Sequence, residues 1–69
     1  MVDVTLNGKP YSLELGISLD DLLTKVGLSG RKSSLAIAIN HEVVSRDDWQ
    51  NYLINEQDNI DIIEATQGG

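Results

Sequence analysis

Sixty-nine residues without cysteine, carrying five basic and eleven acidic side chains for a net charge of −6, describe one small domain held by packing alone. The acidity argues against a nucleic-acid partner, which needs a basic stripe; it permits a partner with a basic docking surface, and more often simply keeps a small protein in solution. No apolar run reaches the length of a bilayer span, and Met1-Val2-Asp3-Val4 lacks the regions of a signal peptide. No membrane partner is expected, and the expected location is cytoplasmic, or the plastid stroma for an organelle-encoded chain.

Val2, Val4 and Leu6 alternate with Asp3 and Thr5, the period of a half-buried strand. Asn7-Gly8 accepts positive φ at both positions and closes a hairpin. Tyr11, Leu13 and Leu15 then alternate with Ser12 and Glu14, and Pro10 restricts this second strand to a first residue or a sheet edge. Ser18 caps a helix, with Asp20 and Asp21 in its first turn and Ile17 set to staple onto Leu22. Leu19, Leu22, Leu23 and Val26 form one apolar stripe, and Gly27 ends the helix in a left-handed cap.

Leu28 to Ser34 reads as a crossover loop. Leu35-Ala36-Ile37-Ala38-Ile39 is a continuous apolar run, expected as a central strand covered on both faces or nearly so. Its large residues suit the helix side, and the alanines leave the other face flat. Asn40-His41 turns the chain into a short strand at Val43-Val44. Ser45 and Asp48 can cap a brief helical turn carrying Trp49, Tyr52 and Leu53. Asn55 to Asn59 is a turn cluster. Ile60 and Ile62 alternate with Asp61, while Ile63 faces the other way. No repeat or low-complexity stretch interrupts the chain.

Several residues invite a chemical reading and support a structural one better. His41 has no second histidine or cysteine with which to build a metal site. Asp20-Asp21 and Asp47-Asp48 sit where helix starts favour negative charge. Trp49 and Tyr52 suit a lid on the core, and Arg46 suits a backbone carbonyl or a nearby carboxylate. No Gly-rich phosphate loop, metal cluster or thiol nucleophile is present, so no catalytic residue is assigned. The end, Gly68-Gly69, is thin and unbranched. By itself it reads as a frayed terminus.

A hairpin, a helix and strands ending in a last apolar strand follow the order of an α+β β-grasp domain. Ala38-Ile39-Asn40, Val43-Val44, Arg46, Trp49 and the terminal Gly68-Gly69 together resemble the ThiS family of sulfur-carrier proteins. The resemblance covers nearly the whole chain and departs at two turns. Ser45 stands for a common proline, which affects turn rigidity. Gln57 stands for the glycine that usually precedes Asp58, so that turn is expected to adopt another geometry.

This resemblance implies a ubiquitin-like mixed sheet of four to five strands, with the first and last strands parallel at its centre and one main helix on one face. Residues 1–65 would form the β-grasp domain and 66–69 a flexible tail. It also implies chemistry at the α-carboxylate of Gly69: adenylation by a partner that uses ATP, then conversion to a thiocarboxylate that supplies sulfur for the thiazole of thiamin. The chain itself would bind no cofactor and would be a cosubstrate, not an enzyme. The implied partners are a ThiF-like adenylating enzyme, a sulfur donor protein and a ThiG-like thiazole synthase. Thr66, Gln67 and Gly68 would thread the partner's site. Ile63, Ala36 and Ala38 are expected on the sheet face away from the helix, as a docking patch. Two other readings stand beside this one: a MoaD-type carrier for molybdopterin, and a β-grasp binding module without covalent chemistry.

Overall fold

The first ten residues form a hairpin because both centres of its turn tolerate a left-handed backbone. Asn7 lies at φ +50° and Gly8 at +83°, joining β1 (Val2–Leu6) to β2 (Lys9–Leu13). The computed structural model describes residues 1–64. After β2 come the helix α1 (Leu19–Lys25), a 3-10 segment at Ser29–Ser34, β3 (Leu35–Ile39), β4 (Glu42–Val44), a 3-10 turn at Arg46–Asp48 and β5 (Asn59–Glu64). The five strands form one sheet in the order β2-β1-β5-β3-β4. The β1–β5 pair is parallel, whereas β1–β2, β3–β5 and β3–β4 are antiparallel. The first and last strands therefore meet at the middle of the sheet, as expected. Pro10 lies on the edge strand β2, where its missing N–H costs no ladder bond on the solvent side.

The helix covers one face. Leu19, Leu22 and Leu23 are fully buried, as are Leu13, Ile37 and Ile60, and Val2 and Val4 are buried beside them, so four strands contribute. Each of the first four N–H groups of α1 has a partner. Leu19 donates to the Tyr52 carbonyl at 3.0 Å, Asp20 to the Trp49 carbonyl at 3.2 Å and Leu22 to the Ser18 carbonyl at 3.0 Å. Asp21 donates to Ser18 Oγ at 3.1 Å and its side chain accepts from the Ser18 N–H, a complete capping box. Gly27 takes φ +81° just past the helix end, as its position predicts.

Five local expectations change. Leu15 is 81% exposed because β2 stops at Leu13 and the chain turns through Gly16 at φ +86°. The crossover from Leu28 to Ser34 is ordered as 3-10 turns, in which the Ser34 hydroxyl donates to the Arg31 carbonyl. Strand β3 is covered on one face only: Leu35, Ile37 and Ile39 are buried, while Ala36 is exposed and Ala38 half-buried. The Ser45 side chain caps nothing; its carbonyl accepts from the Asp48 N–H, and the helical turn ends before Tyr52 and the exposed Leu53. Finally, the turn before Asp58 keeps a left-handed residue although glycine is missing, with Gln57 itself at φ +70°.

Candidate functional site

The open face of the sheet is built by strand alternation. Leu35, Ile37 and Ile39 point to the helix, which sends Ala36 and Ala38 the other way. Residues opposite one another share a face. Ile63 is opposite Ala36, while Asp61 and Val43 flank Ala38 from either side. The structure thus brings the three residues expected on this face together: Ile63, 61% exposed, beside Ala36, with Ala38 two residues along. It adds Val43, 79% exposed, which the sequence reading took only as part of a short strand. Its exposure follows from β4 being an edge strand with no helix over it. The apolar strip gives way to Asp61, Thr5 and Asp3 towards the β1 side of the same face.

Glu64 ends the described chain at the rim of this patch. Arg31 Nη1 donates to both of its carboxylate oxygens, at 3.0 and 3.3 Å. The expected threading residues Thr66, Gln67 and Gly68, the expected site of modification at Gly69, and the expected domain boundary after residue 65 lie outside the described residues.

The motif that carried the resemblance has mechanical roles in the structure. Asn40 and His41 occupy the β3–β4 turn at φ +52° and +73°, the left-handed pair that a two-residue hairpin requires. That assigns His41 a backbone role. The Asn40 side chain then ties this hairpin to β5: its amide nitrogen donates to Asp58 Oδ1 at 3.1 Å, and its oxygen accepts the Asn59 N–H at 2.9 Å. Asp58, only 6% exposed, also accepts from the Asn55 N–H at 2.8 Å. Sequence reading passed over Asp58 as a turn residue. The available signal was its place three residues after Asn55, the spacing at which a carboxylate reaches back to a backbone N–H as in a capping box.

Trp49 is 2% exposed and its indole N–H donates to the Val44 carbonyl at 2.9 Å, so it belongs to the core. Tyr52 is half-buried against that core, and desolvation together with Asp58 and Glu42 raises its pKa above the usual tyrosine value. Arg46 donates to the Ser33 carbonyl at 3.3 Å, with its guanidinium 6.0 Å from the Trp49 ring centroid. Among the described residues no group of three or more metal-ligating side chains assembles, and no helix is long and apolar enough to cross a membrane.

Comparison with known proteins agrees with this geometry. The crystal structure of the thiamine biosynthesis protein ThiS from Geobacter metallireducens superposes with a TM-score of 0.83 at 20% identity, covering 99% of this chain and all of that one. A solution structure of a thiamine biosynthesis protein from the same organism gives 0.78 at 20% identity, over 99% of this chain and 88% of that one. Both show the ubiquitin-like β-grasp architecture. A thiazole synthase of Magnetococcus marinus is 33% identical over 66 residues, 96% of this chain, and the chain spans about a fifth of that relative's length. The ThiS family model matches residues 4–69, from the first strand through the diglycine end. The chain belongs to the ThiS family of sulfur-carrier proteins.

Proposed function

We propose that this protein carries sulfur on the C-terminal carboxylate of Gly69 for the thiazole moiety of thiamin. A free carboxylate is a poor acyl donor because its leaving group would be oxide. Attack of a carboxylate oxygen on the α-phosphorus of ATP expels pyrophosphate and leaves an acyl-adenylate. A sulfide-level nucleophile (HS−) then adds to the acyl carbon, AMP departs with the C–O bond electrons, and loss of the S–H proton leaves a thiocarboxylate. This chain contributes the acyl group. The ATP site belongs to a ThiF-like partner, and the sulfur arrives from a donor protein.

The observation that carries this reading is the family match through Gly69. Glycine at 68 and 69 suits the chemistry, because a side chain there would crowd both the in-line approach to phosphorus and the later attack on the acyl carbon. The threading segment Thr66-Gln67 would add backbone hydrogen bonds in the partner's groove, as extended peptides do. A relative named thiazole synthase contains a segment similar to this chain, which supports a ThiG-like enzyme as sulfur acceptor.

Intact mass tests the reading directly. After incubation with the adenylating enzyme, ATP and a sulfur donor, the carrier gains the difference between one sulfur and one oxygen. An unchanged mass supports a non-covalent module instead. One alanine appended after Gly69 removes the glycine carboxylate from the attacking position while leaving the folded domain intact. That variant is expected to show no ATP–pyrophosphate exchange, and normal exchange would refute carboxylate activation at Gly69.

A further inference from the structure

The end of β5 is held unevenly. Strand β1 leaves the sheet after Leu6, and the Asn7 side chain takes its place by accepting the Ile62 N–H at 2.8 Å. Beyond Ile62 the register continues on the β3 side, where Ile63 is opposite Ala36 and Glu64 opposite Leu35. A strand paired along one edge frays from its end.

Arg31 stands where it opposes that fraying. Its own backbone is held on both sides: the N–H donates to the Leu28 carbonyl at 3.0 Å, and the carbonyl accepts the Ser34 hydroxyl at 3.1 Å. At φ −120° and ψ 18° it breaks the 3-10 run. From there its guanidinium nitrogen spans both oxygens of Glu64. The charged contact therefore joins the segment entering β3 to the last described residue of β5.

We propose that Arg31 is a positioning residue that holds the last described pair of β5 on β3, and with it the point from which residues 65–69 set out, an inference that rests on the carrier reading above. With pairing held through Glu64, the five residues that follow can span at most about 17 Å, at ~3.4 Å each. Every residue lost from the end of β5 lengthens that reach by a similar step and multiplies the conformations in which the carboxylate misses its target. The adenylating partner must then order a longer segment, which weakens productive docking and leaves the chemical step alone.

The test pairs solution dynamics with kinetics. In the free protein, Arg31→Gln is expected to lower the backbone order parameters of Ile63 and Glu64 from about 0.85 towards 0.6 or below. In ATP–pyrophosphate exchange, the KM for the carrier should rise about two- to fivefold, the span an exposed ion pair allows, with kcat within about twofold. Exchanging the charges, Arg31→Glu with Glu64→Arg, should restore both readouts. Unchanged order parameters overturn the proposal. So does a raised KM that the exchanged pair fails to restore, since Arg31 would then act on the partner directly. The dynamics are measured without any partner, so failure of the wild-type protein to be adenylated would refute the carrier reading while leaving the clamp decided by relaxation.

Discussion

Gln57 holds a left-handed backbone at φ +70°, a conformation that costs an L-residue about 1–2 kcal/mol and glycine almost nothing. Its N–H donates to the Asp3 carbonyl at 2.7 Å, so the strained turn also fastens the approach to β5 onto β1. The side chain is exposed and has no packing to lose. Gln57→Gly should therefore stabilise the protein by about 0.5–1 kcal/mol once glycine's larger unfolded-state entropy is counted. Thermal unfolding should show Tm rising by roughly 2–8 °C. A Tm that falls would mean that another interaction of Gln57 outweighs the backbone strain. Asn40 and Asp58 work in the opposite sense, since their side chains satisfy backbone groups that two neighbouring turns leave open. The Asn of the Ala-Ile-Asn motif is explained by this clamp.

The helix α1 has only seven residues, too few to persist alone, and depends on its caps and on the apolar stripe it buries. The segment from Trp49 to Ile54 supplies much of that support. It gives carbonyls to the Leu19 and Asp20 N–H groups, and Ile54, buried to 2% exposure, donates to the Ile17 carbonyl at 3.0 Å. The turn that starts this segment accepts rigidification. Ser45 has φ −60° and ψ 141°, close to the proline ring's own φ, and Val44 before it is extended, as a pre-proline residue must be. Counting from the Ile39–Glu42 pair that closes the hairpin, the N–H of residue 45 falls at a position outside the β3–β4 ladder. Ser45→Pro is accordingly expected to stabilise by about 0.4–1 kcal/mol through the unfolded chain, readable as a higher urea midpoint with unchanged m. A lower midpoint would show that the serine N–H or hydroxyl is bonded after all.

At the scale of the molecule, one sheet face is occupied by the helix and the other presents Ile63, Ala36, Ala38 and Val43 next to the origin of the tail. Such a strip bordered by Asp61 suits a partner with an apolar docking surface edged by a basic residue. On the carrier reading, Ile63→Asp should weaken binding to the proposed adenylating partner by about tenfold or more, as loss of an interface anchor does. The fold should tolerate it, with Tm moving by no more than about 4 °C, because Ile63 contributes little to the core. Unchanged affinity would put the docking surface elsewhere.

Local pattern determined a good part of this. Period-two alternation marked β1 and β5, the Asn7-Gly8 pair marked the first turn, and Ser18 with the Leu19–Leu22–Leu23 stripe marked the helix, because each signal depends on a few adjacent residues. The parallel β1–β5 pairing came from family resemblance and not from pattern, since it joins residues more than fifty positions apart. Tertiary structure alone decided the rest. Leu15 continues the alternation of β2 yet is exposed, because strand length is set by what β1 offers as a partner. The apolar run of β3 promised two covered faces and received one, because among the described residues a single main helix supplies cover. The contact between Arg31 and Glu64 spans 33 positions and was invisible in the sequence. It arises where β3 returns antiparallel to β5, which brings the entry of one strand beside the exit of the other.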